Sequence, residues 1–149
     1  MTQKKDNKGF SLVELIVVVA IMAVLMGILV PTLVKNVEKS KKQKDLSAIE
    51  EIRNTMQINL ADPQYSAIEK DFSAPCKNIA VSTFTGDDPI PDYITEVKDQ
   101  VKDYKCKSKE FANATVKFTV GNELVYYTIT GTKSGTTYYS ENTGSSNSK

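Results

Sequence analysis

Few residues in this chain are arranged to do chemistry. It contains no His, which removes the commonest general base and a common metal ligand. Two cysteines, Cys76 and Cys106, allow either one disulfide or two buried free thiols. Asp87, Asp88 and Asp92 gather around Gly86 and Pro89. They lack the spacing of a calcium loop and read as turn and helix-cap residues. Asn113-Ala114-Thr115 fits a glycosylation triplet of the kind chance often supplies. No nucleophile stands beside a base, so the reading is non-enzymatic, with no catalytic residue, metal or cofactor. The acid with the most unusual setting is Glu14, because no formal charge follows it from Leu15 to Val34.

An α-helix over that uncharged run would rise roughly 30 Å, enough to cross the hydrocarbon of a bilayer. At its head Ser11 and Glu14 have the spacing of a capping box, the glutamate reaching back to the Ser11 amide. A carboxylate in the first turn also suits the helix macrodipole. Carried to mid-bilayer, the same group costs on the order of 2.5–3.5 kcal/mol, so such residues tend to face a partner. Pro31 deprives the Gly27 carbonyl of its usual donor, and Gly27 is itself a poor helix former. The pair marks a local weak point, or a kink that lipid-embedded helices tolerate. Before the run, Lys4, Lys5 and Lys8 make a short basic leader ending at Gly9. After it comes Lys35-Asn36-Val37-Glu38-Lys39 rather than the small residues of a conventional signal cleavage site. The apolar segment is therefore expected to stay in the product.

The leader followed by Gly9-Phe10-Ser11-Leu12-Val13-Glu14 resembles the class III signal of type IV pilins and pseudopilins. That resemblance implies cleavage between Gly9 and Phe10 by a membrane aspartic peptidase, the missing side chain of Gly9 letting the enzyme approach the backbone. The same enzyme would N-methylate Phe10. It further implies that Glu14 neutralises the Phe10 amine of a neighbouring subunit, setting register in a helical filament. Gly27 and Pro31 would be the place where the helix melts or stretches on assembly. Positive-inside counting does not orient the chain, since Lys35, Lys39, Lys41, Lys42 and Lys44 follow the run. The resemblance alone places the N-terminus in the cytoplasm.

Beyond the lysines the apolar residues thin to Leu46, Ile49, Ile52, Met56 and Leu60, one face of a helix. A helix from Phe10 to Leu60 would be roughly 75 Å long, with its second half packed on a sheet. The lysines read as a solvated collar; Glu38 and Asp45 interrupt them and no aromatics interleave. That argues against nucleic acid, as does a net charge of only +1. Asp62-Pro63 predicts a short helix to Phe72 carrying Tyr65 and Ile68. Lys77–Thr85 reads as extended, with Ile79 and Val81 inward. Asp92 opens a helix with Ile94, Val97, Val101 and Tyr104 on one face. From Ala114 the period becomes two: Val116, Phe118 and Val120 form a strand, Gly121-Asn122 a hairpin turn, and Leu124–Thr130 the return. A turn at Lys133-Ser134-Gly135 precedes a third strand, Thr136–Ser140. Outside the cytoplasm Cys76 and Cys106 are free to bridge, worth roughly 3–4 kcal/mol in the chain-entropy model.

The expected fold is α+β and pilin-like: a long N-terminal helix, membrane-spanning in its first half, on a small antiparallel sheet. Its parts are a removed leader (1–9), an apolar assembly helix (10–34), its amphipathic continuation (35–61), a head with a three-stranded sheet (62–141) and a flexible tail (142–149). The resemblance implies a prepilin that polymerises into an extracellular type IV pilus for adhesion, motility or biofilm formation. Its partners would be further copies of itself, the prepilin peptidase and methyltransferase, and inner-membrane assembly machinery. Before assembly it would sit in the bacterial membrane. Two alternatives stand beside this: a pseudopilin of a type II secretion or competence system, and an anchored binding protein that never polymerises.

Overall fold

A computed structural model describes residues 9–81, 84–85 and 92–140. The leader lysines, the turn at 86–89 with Asp87 and Asp88, and the 142–149 tail lie outside the described residues. The chain divides into two units, residues 1–37 and 38–149. Helix α1, Leu12–Leu60, supplies residues to both.

In the first unit, residues 9–37 are all exposed. Pro31 lies inside the helix, where it withholds the donor that the Gly27 carbonyl would take, and the aliphatic side chains of this unit are exposed. It is long and apolar enough to cross a membrane.

The second unit has its own core. On α1, Ile49, Ile52, Met56 and Leu60 are buried, as their spacing of three and four requires. Around them lie β1 (Lys70–Pro75), α2 (Asp92–Gln100), β2 (Thr115–Gly121), β3 (Leu124–Thr130) and β4 (Tyr138–Tyr139). The strands form one antiparallel sheet in the order β1-β2-β3-β4. Val116, Phe118 and Val120 face the core from β2, and Val125, Tyr127 and Ile129 from β3. Phe84 stacks on Phe118 at 5.6 Å between centroids. The amide of Gln57 on α1 donates to the Glu123 carbonyl at 2.9 Å and accepts from the Val125 amide at 2.8 Å. It pairs with β3 as another strand would.

Four strands replace the expected three, because the helix predicted from Asp62 to Phe72 does not form. Asp62 does start a turn, its carboxylate accepting from the Gln64 amide and its carbonyl from Tyr65. Successive turns carry the chain only to residue 67. Phe72 and Ala74 then alternate into the core of β1, Phe72 opposite Phe118. An aromatic residue opposite an aromatic residue in a ladder outweighs a weak N-terminal signal. Residues 77–85 are not a strand over their described part: a 3-10 turn at Cys76–Asn78 precedes isolated bridges Ile79–Tyr104 and Ser73–Thr85. Ile79 and Val81 are nevertheless buried. The hairpin turns on Asn122 and Glu123, both at positive φ, with Gly121 paired to Leu124. The third expected strand shortens to β4.

Candidate processing and assembly segment

At the head of α1 the Ser11 amide donates to Glu14 Oε2 at 2.9 Å. The Glu14 half of the capping box is thus formed, and Ser11 sits at the N-cap with its carbonyl accepting from Leu15. Gly9 and Phe10 lie immediately before it in open solvent, Phe10 at 85% exposure. A methyl group added at Gly9 would meet nothing within 4 Å. Among the described residues nothing crowds that position. Gly27 is equally unhindered. Pro31 lies within the helix, and the Thr32 hydroxyl bonds back to the Ile28 carbonyl at 3.4 Å. The structure therefore brings Gly9, Phe10 and Glu14 together at one exposed helix start and sets Gly27 and Pro31 a few turns along.

The second unit holds a cluster that pattern reading missed. Asp45, on α1, is fully buried. Its carboxylate accepts from the Tyr104 hydroxyl at 2.8 Å, the Lys107 amide at 3.0 Å and the Ser108 amide at 2.8 Å. Glu38 accepts from the Lys109 amide. The loop after α2 is thus held to the helix by two acids seven residues apart. The signal was present: Asp45 stands four residues before Ile49, in phase with the apolar stripe, where a solvated charge does not belong. Lys42, on the same face, lies 4.6 Å from the Tyr138 ring centroid. One lysine of the expected collar is therefore turned inward, and the others are exposed.

Beside this cluster lie Cys76, fully buried, and Cys106, half-buried, both free thiols. Their backbones are joined by the Cys106 amide donating to the Cys76 carbonyl at 3.0 Å. The neighbouring Cys76 thiol, together with burial, pushes the Cys106 pKa up. Tyr104 is likewise pushed up, by burial and then by its bond to Asp45.

The prokaryotic N-terminal methylation motif matches residues 4–30. The type II secretion system core protein G of Aeromonas hydrophila is 34% identical over 73 residues, 48% of this chain and 51% of that protein. Its counterpart in Dickeya chrysanthemi is 33% identical over 75 residues, 50% of this chain and 49% of that protein. That of Escherichia coli (strain K12) is 40% identical over 62 residues, 42% of this chain and 43% of that protein. The chain spans about half the length of the curated relatives it matches. No solved structure matches.

Proposed function

We propose that this chain is a pseudopilin-type structural subunit of the type IV pilin-like family, a reading supported by its N-terminal methylation motif and its secretion-system relatives. Its relatives favour that reading over the subunit of an extracellular pilus. The observation that carries it is the exposed start of α1, where an unhindered Gly9 precedes Phe10 and Glu14 at the head of an apolar helix whose side chains are exposed over residues 10–37. A glycine that nothing among the described residues crowds suits an external reader, the peptidase that would cut after it. Cleavage creates an amine at Phe10. Glu14 would then exchange the Ser11 amide of its own chain for the Phe10 amine of a neighbour, a cation for a neutral donor. Bilayer lipid would cover residues 10–34 before assembly, with the leader in the cytoplasm, and identical helices would cover them after. The work is self-association rather than catalysis.

Mass spectrometry of the chain from cells that hold a prepilin peptidase is expected to find a product beginning at methylated Phe10. Retention of Met1 in such cells would refute processing. Cysteines placed at Val17 and Leu25 are expected to cross-link neighbouring copies; a strictly monomeric pattern would favour the anchored binding protein. A surface fibre many times longer than the envelope is thick would restore the pilus reading. Glu14→Ala is expected to be processed yet to give no cross-linked ladder.

A further inference from the structure

We propose that Cys76 and Cys106 are an oxidation site, joined by a disulfide that forms after folding, with Cys106 as the entering thiol and Cys76 as the resolving one. Three observations carry this. The Cys106 amide donates directly to the Cys76 carbonyl, next to the reciprocal Ile79–Tyr104 bridge. One backbone hydrogen bond thus sets the two residues side by side, and a disulfide asks for Cα atoms roughly 4.4–6.8 Å apart.

Exposure differs between the two. Cys76, the first residue of the 3-10 turn, is fully buried, whereas Cys106 is half-buried, so an oxidant from solution reaches Cys106 first. Placement gives the bond its effect. Cys76 follows β1 directly, its amide bonded to the Ala114 carbonyl. Cys106 precedes the amides of Lys107 and Ser108 that Asp45 holds. The bridge would lock the loop that Asp45 already orders.

The oxidant is a disulfide, either small or carried by a protein. The Cys106 thiolate attacks one of its sulfurs, forming a mixed disulfide and releasing the first oxidant thiol. The Cys76 thiolate then attacks the Cys106 sulfur, forming the Cys76–Cys106 bond and releasing the second. The cysteines lose two electrons and two protons, and the oxidant gains them. The oxidising setting follows if this unit is exported, but the reaction needs only the folded chain. A failed bridge would leave the filament reading standing, and the reverse also holds.

The test uses the full chain purified in detergent micelles. Brief alkylation of the reduced, folded protein is expected to label Cys106 before Cys76, because Cys106 is the more exposed of the two. With oxidised glutathione the natural chain is expected to lose two hydrogens and keep no glutathione. Cys76→Ser is expected to retain one glutathione on Cys106, and Cys106→Ser to remain unmodified. Reduction is expected to lower the Tm of the oxidised protein by roughly 10 °C or more. Equal labelling of the two thiols would overturn the assigned order. Two thiols, or a glutathione adduct, persisting in the natural chain under excess oxidant would overturn the bridge.

Discussion

The Asp45 carboxylate accepts from three donors of one loop, so its removal strands all three. Asp45→Ala leaves the Tyr104 hydroxyl and the Lys107 and Ser108 amides without their acceptor. The expected loss is about 2–4 kcal/mol of unfolding free energy in urea titration. Ser108 supplies the contrast. Its hydroxyl is buried and, among the described residues, has no partner. Ser108→Ala is therefore expected to be neutral or to stabilise by up to about 1 kcal/mol. A large loss in both variants would mean that the loop tolerates no change, not that Asp45 holds it. Asp45 was legible only in part. Its phase with Ile49 and Met56 marked it as out of place, but its donors come from residues 104–108, and no local pattern links those to the helix.

At the scale of elements, the hairpin between β2 and β3 turns through two residues at positive φ, Asn122 at 52° and Glu123 at 61°. Two-residue loops of this form favour Asn followed by Gly. Glu123→Gly is expected to stabilise the protein by about 0.5–1 kcal/mol, visible as a higher urea midpoint, since Gln57 holds only the backbone there. A fall in midpoint would show that the Glu123 side chain contributes more than its backbone costs. The turn was expected one residue earlier, at Gly121, because glycine is the stronger local signal. Pairing of Gly121 with Leu124 decided otherwise. β1 went the same way, its lone aromatic readable as helix or strand until Phe118 stood opposite. By contrast, β2 and β3 were plain from period two, and the core stripe of α1 from period 3.6.

For the molecule as a whole, stability should fall at both ends of the pH scale. Asp71 lies below its usual 3.8, held there chiefly by its bond to Lys117. Glu110 also lies below its usual 4.5: burial pushes it up, but bonds from Ser134 and the Lys42 charge outweigh that. Both contributions are present at neutral pH and fade as pH falls through those lowered values; exposure keeps the Asp71 share small. Tyr93 is raised by burial and donates to the Met56 carbonyl at 2.6 Å. Its contribution is full below its usual 10.0 and is lost as pH rises beyond it. Tyr93→Phe is expected to cost about 1 kcal/mol at neutral pH and to flatten the alkaline loss of Tm. An unchanged alkaline slope would assign that loss to the other raised groups, Tyr104, Tyr65 and Cys106, instead. The first unit, exposed over residues 9–37, should keep the full chain out of solution unless detergent, lipid or further copies cover it.

What the sequence determined by itself is whatever depends on neighbours along the chain. The uncharged run, the Ser11–Glu14 cap, the position of Pro31, the amphipathic stripe and the β2–β3 alternation all express periods or contacts of a few residues. Tertiary structure alone decided the fourth strand, the inward Lys42, the Asp45 clasp and the meeting of Cys76 with Cys106. Each of these joins groups far apart in sequence. A buried polar atom takes its partner from whichever segment the fold brings within about 3 Å.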